Sequence, residues 1–81
     1  GHAELAQKVG LNRSKTTAAI AVAGLKSDTD CHKEVAVGKA RYQRYSQKAI
    51  DRIQRLVEEK GADQIWAEYK AMREDQAVRT A

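Results

Sequence analysis

A glycine set between two short apolar repeats constrains this chain more than any other feature. Leu5, Ala6 and Val9 recur at the spacing of one helical face; Gly10 interrupts them, and Thr16 and Ile20 resume an inward stripe. Gly10 supplies the permissive backbone of a sharp turn, because a residue with a Cβ resists positive φ. Leu11 plugs the corner and Asn12 is a good N-cap. The pattern predicts helices over residues 3–9 and 13–23, pinned at a tight turn. Gly24 stops the second, and Leu25 folds back onto it.

Residues 26–30 read as a polar connector. Residues 31–45 then alternate as a hairpin, with Gly38-Lys39 suited to a type II′ turn because glycine takes the first central position. That turn pairs Val37 with Ala40 and Val35 with Tyr42 on an apolar face. Ala36 with Arg41, Glu34 with Gln43 and His32 with Tyr45 fall on a polar one. An isolated hairpin is marginal in water, so the apolar face is expected to lie on a helical core. Ser46 caps a third helix, with Tyr45 and Ile50 at the positions of a hydrophobic staple. Ile50, Ile53, Leu56 and Val57 face inward; Asp51, Arg52, Arg55, Glu58 and Glu59 face water. Gly61 ends this helix, and Asp63 is expected to cap a fourth that carries Ile65, Trp66, Tyr69 and Met72. The polar tail, 73–81, is expected to fray. Gly1-His2, without an initiating Met, reads as a cloning scar or a cut, and the chain as one domain over residues 1–81.

With 81 residues, the chain has room for one small domain that buries roughly 60–65% of its unfolded surface, so dimerisation would help it. Phenylalanine and proline are absent, and the core must be aliphatic and alanine-rich. A lone cysteine, Cys31, excludes an internal disulfide framework and fits a reducing, cytoplasmic setting. No apolar run approaches the ~20 residues of a membrane span. Residues 1–48 hold nine Lys or Arg against four Asp or Glu, and residues 49–81 six against seven. Basic charge is thus concentrated in the first half, which favours a polyanionic partner there over a merely solvated lysine-rich face.

Further motifs follow in order. Glu4-Leu5-Ala6 opens the first helix and Gly24-Leu25 closes the second. Arg44-Tyr45-Ser46 leads into Ile50, Ile53 and Leu56, and Gly61 precedes Asp63-Gln64-Ile65. Over residues 4–70 this resembles the winged helix-turn-helix plan, and more specifically the DNA-binding domain of MerR-family regulators and excisionase-like domains. Ala18-Ala19-Ile20-Ala21 stands where that family usually carries an Arg-Tyr-Tyr-like segment. The resemblance implies a mainly α fold with a small wing hairpin between the helix-turn-helix and two further helices. It also implies a second helix in the major groove of double-stranded DNA, and a role in transcription regulation or plasmid or phage DNA transactions.

On that reading Arg13, Ser14 and Thr17 project from the second helix, next to Asn12 and Lys15, and Ala18 leaves room for close approach. Arg13 suits a bidentate contact with guanine, and Lys15 adds salt-dependent affinity. In the wing, Lys39 and Arg41 are expected to meet phosphates, with Lys33 and Arg44 near its root, whereas Tyr42 and Tyr45 are packing residues. Cys31-His32 with Glu34 lacks the further ligands zinc wants, so no metal or other cofactor is expected. Ser46 has no His or Asp partner for nucleophilic chemistry, and the chain does not read as an enzyme. Trp66, Tyr69 and Met72 are most simply core. In the alternative reading, a small helical interaction module, they form a seam for a homodimer or another protein.

Overall fold

The computed structural model describes residues 2–80. Helix α1 (His2–Val9) turns through Gly10 and Leu11 into α2 (Arg13–Ala23). The amides of Gly10 and Leu11 both donate to the Ala6 carbonyl, at 2.9 and 3.1 Å, which closes the turn. Asn12 caps α2: its side-chain oxygen accepts from the Lys15 amide at 2.8 Å. At the other end Gly24 adopts the left-handed conformation, and Leu25, fully buried, opens a 3-10 turn over Leu25–Ser27.

Strands β1 (His32–Val37) and β2 (Ala40–Tyr45) pair antiparallel in the register expected from the sequence, from His32 opposite Tyr45 to Val37 opposite Ala40. Helix α3 (Gln47–Lys60) starts at Ser46, whose hydroxyl accepts from the Ala49 amide. Helix α4 (Ala62–Thr80) follows after the single residue Gly61. The molecule is therefore mainly helical, with a two-stranded hairpin between the second and third helices.

The core gathers Leu5 from α1, Ala18, Ala19 and Ile20 from α2, Leu25, Cys31, Ala49, Ile50 and Ile53 from α3, and Ile65 from α4. Helix α2 is its centre, packed most extensively on α4 and also touching α1 and α3. Three-sided cover explains its composition: alanines at 18 and 19 let neighbouring backbones approach closely. Thr16 is fully buried, yet its hydroxyl donates to the Asn12 carbonyl at 2.8 Å and so leaves no unpaired group.

Several expectations change. Asp63 does not cap α4. The helix begins at Ala62, with the Ile65 amide bonded to the Gly61 carbonyl, and Asp63 lies in its first turn. Arg52 is not turned to water. Its guanidinium donates to Asp28 Oδ2 at 3.0 Å and to the Ala23 carbonyl at 2.9 Å, which ties the end of α2 and the connector to α3. The tail is helical to Thr80, as its Ala, Arg, Glu and Gln content favours; Gly1 and Ala81 lie outside the described residues.

The hairpin does not rest its apolar face on the core. Val37 and Tyr42 are 60% and 55% exposed, which also corrects the reading of Tyr42 as a packing residue. The opposite face supplies the anchor, and only at its root. Tyr45 packs against the core, its ring 5.7 Å from that of His2 and 5.2 Å from that of His32. Two amphipathic rings can bury their bodies while their polar atoms stay paired, so the root holds and the rest of the ribbon projects.

Candidate nucleic-acid interface

Arg13 and Ser14 are exposed at the start of α2, beside Asn12, whose side chain is engaged in the cap. The other residues expected to project from this helix do not. Lys15 reaches across to α4, where its ammonium donates to Asp63 Oδ1 at 2.9 Å. That contact holds the Asp63 carboxyl below its ordinary pKa. Ala18, one turn further along the same side, is completely buried and gives no room to a ligand. Thr17 is half-buried, its hydroxyl 3.3 Å from His2 Nδ1. The outward edge of α2 is therefore its first turn.

His2 links this edge to the hairpin, since its Nε2 lies 3.0 Å from the Tyr45 hydroxyl. Burial lowers the His2 pKa, and the nearby charges of Lys26, Arg13 and His32 lower it further. A neutral imidazole donates from one nitrogen and accepts at the other, and the two hydroxyls can serve either role. The same charges mark the neighbourhood as cationic. A shallow groove of about 330 Å³ runs along this side of α2, over Thr17, Ala21 and Gly24, with His2, Lys26 and Tyr69 on its walls.

On the hairpin, Lys39 stands at the turn, fully on the surface, with Gly38 at φ +60°. Arg41 lies 3.8 Å from Glu34 on the anchored face, a long and exposed ion pair. Arg44 is exposed on the other face, directly opposite Lys33.

The ion pairs sort the cations. Lys8, Lys15, Lys48, Arg52 and Lys60 are paired with Glu4, Asp63, Asp30, Asp28 and Glu68. Among the described residues no carboxylate stands within salt-bridge distance of Arg13, of Lys26 just beyond α2, or of Lys33, Lys39 and Arg44 on the hairpin. Arg55, Lys70 and Arg73, on the later helices, share that state. The sequence does not mark Lys26 as an interface residue, and marks Lys33 only as lying near the root of the wing, where Arg44 is the one selected. Lys33 was legible in the register, which puts it across from Arg44, but Lys26 comes beside His2 and the groove only through the fold.

Trp66 and Tyr69 are half-buried against the core, their rings 5.8 Å apart, and Arg73 lies over Tyr69. Met72 is exposed at 42%, so of this stripe only Ile65 is fully buried and the aromatic pair lies at the margin of the core. Cys31 is buried, with the Arg52 guanidinium 3.7 Å from its sulfur. Among the described residues no group of three or more His, Cys, Asp or Glu converges as a metal site, and no helix is long and apolar enough to cross a membrane.

No curated protein and no solved structure matches the chain. A family model described as Domain of unknown function (DUF8610) matches residues 1–71, and the chain belongs to that family.

Proposed function

We propose that this domain binds double-stranded DNA, with the first turn of α2 at base edges in the major groove and the hairpin along the flanking backbone. The sorting of cations carries the reading. Arg13, Lys26, Lys33, Lys39 and Arg44 are left for an external anion around α2 and on the hairpin, whereas on the later helices Lys48, Arg52 and Lys60 are neutralised within the molecule and Arg55, Lys70 and Arg73 are not. A helix need offer only its N-terminal residues to a groove, so the cover of α4 over the rest of α2 is compatible with this docking. It limits direct readout to Arg13 and Ser14, with Thr17 behind them. So few base contacts imply modest selectivity per copy, and two copies on paired half-sites would restore it. A role in transcription regulation or in plasmid or phage DNA transactions fits such a module.

Anisotropy titrations against labelled duplexes at increasing salt test this directly. Affinity should fall linearly on a log–log plot, by about 0.9 per phosphate neutralised. Arg13→Ala should cost about 1–3 kcal/mol on a preferred site and flatten the preference, while Lys39→Ala should weaken all sequences alike. Absence of duplex binding at low salt, or binding indifferent to salt, overturns the proposal.

A further inference from the structure

The two faces of the hairpin are unequal in a way its stability does not require. The anchored face is internally satisfied: Tyr45 meets His2, His32 meets Gln43, and Arg41 pairs with Glu34. The other face carries Lys33, Val35 and Val37 on β1 and Ala40, Tyr42 and Arg44 on β2, with no acidic residue among them. Its root sets Lys33 directly across from Arg44, a cross-strand pair of like charges that destabilises a free ribbon. Two acids that border this face are already engaged: Asp30, at its foot, pairs with Lys48, and Glu4, near Arg44, pairs with Lys8. Beyond the two cations, towards the turn, lie the exposed Val37 and Tyr42. A shallow depression opens at the foot of the face, between Lys33, Val35, Arg44 and the loop at Thr29 and Asp30.

We infer that this outward face, rather than the anchored one, is where the hairpin meets DNA. Lys33 and Arg44 share one backbone phosphate, and Tyr42 and Val37 lie against the deoxyribose edge of the adjoining minor groove. The inference rests on the DNA-binding reading above and assigns the contact within it. An anion between the two cations turns their mutual repulsion into joint attraction, which accounts for a pair otherwise unfavourable. A sugar–phosphate backbone also presents what the rest of the face wants: apolar ribose carbons about one residue's length beyond the charge. A protein partner of acidic surface would meet the cations but has no need of the flat apolar extension.

The experiment compares wild type with Lys33→Ala/Arg44→Ala, Tyr42→Ala, Tyr42→Phe and Lys33→Glu, on one duplex across a salt series and on a single strand of the same sequence. The double variant should bind more weakly, with its salt slope reduced by about 0.9, the loss of one phosphate. Tyr42→Ala should weaken binding severalfold at unchanged slope, and Tyr42→Phe should retain wild-type affinity, because the ring and not the hydroxyl makes the contact. Lys33→Glu, which replaces repulsion by an opposite-charge pair, should raise Tm by about 1–5 °C while binding is lost. Intact folding of the binding-deficient protein then follows from the same measurement. If wild type binds duplex but the double variant keeps its affinity and slope, the face is wrongly assigned and the DNA reading stands. If wild type fails to bind duplex, both fall. A Tyr42→Ala loss confined to the single strand overturns the duplex contact in favour of single-strand stacking.

Discussion

Arg52 is the side chain whose removal the interior would feel most among the charged residues. It bonds Asp28 and the Ala23 carbonyl from one planar group, and a lysine has no such fork. Arg52→Ala should lower stability by about 1–2 kcal/mol, measured by urea or thermal denaturation, with Arg52→Lys recovering only part. DNA affinity should be unaffected at temperatures where the variant is folded. Acid sensitivity belongs to the same scale. The Asp30 amide, above all, holds the Asp28 carboxyl low, and Lys15 does the same for Asp63. Carboxylates with depressed folded values contribute stability above their unfolded range and lose it as pH falls below about 4. His2 acts in the same direction: its folded value lies below the ordinary 6.5, so its contribution is present above that pH and fades as the solution is acidified through it. Asp63→Asn should therefore flatten the acid limb of Tm against pH and leave the neutral region little changed. None of these partners was visible in the sequence, where Arg52 sits at a solvent position of its own helix. Helical period ranks the faces of one element but is blind to a loop that another part of the fold brings over it.

At the scale of elements, ends were more legible than faces. Asn12 and Ser46 cap the helices that local chemistry assigns them, and Gly38-Lys39 fixes every pair of the hairpin register. Gly38 is indispensable to that turn: at φ +60° a side chain is strained even though the space around it is open. Gly38→Ala should cost about 1–3 kcal/mol of local stability, read as reduced amide protection from hydrogen exchange across the hairpin, with weaker DNA binding as a consequence. Which face of the ribbon meets the helices was not legible. Alternation makes Val35, Val37 and Tyr42 look inward, yet the anchor comes from Tyr45 and His32 at one end. Polarity alone cannot rank two faces when the inward one is held by amphipathic rings and the outward one carries the simple hydrophobes.

The whole molecule is a flattened body, 36 × 34 × 21 Å, organised around α2. Its element order was readable because each junction is punctuated by glycine or a cap. The seat of α4 on α2 was not, because Ala18 and Ala19 are as compatible with an open surface as with close packing. Lys15→Ala tests that seat: freed of its ion pair with Asp63, α4 should become easier to detach, seen as faster exchange of its first-turn amides, with little loss of DNA affinity. The crowding of α2 also bears on how such a domain diversifies. A bulkier residue at 18 or 19 would prise the molecule open, so those positions are closed to variation that would retarget the protein. If the domain reads DNA as proposed, new preferences must arise at Arg13, Ser14 and the ribbon, a narrow set for which altered pairing of copies would be the readier substitute.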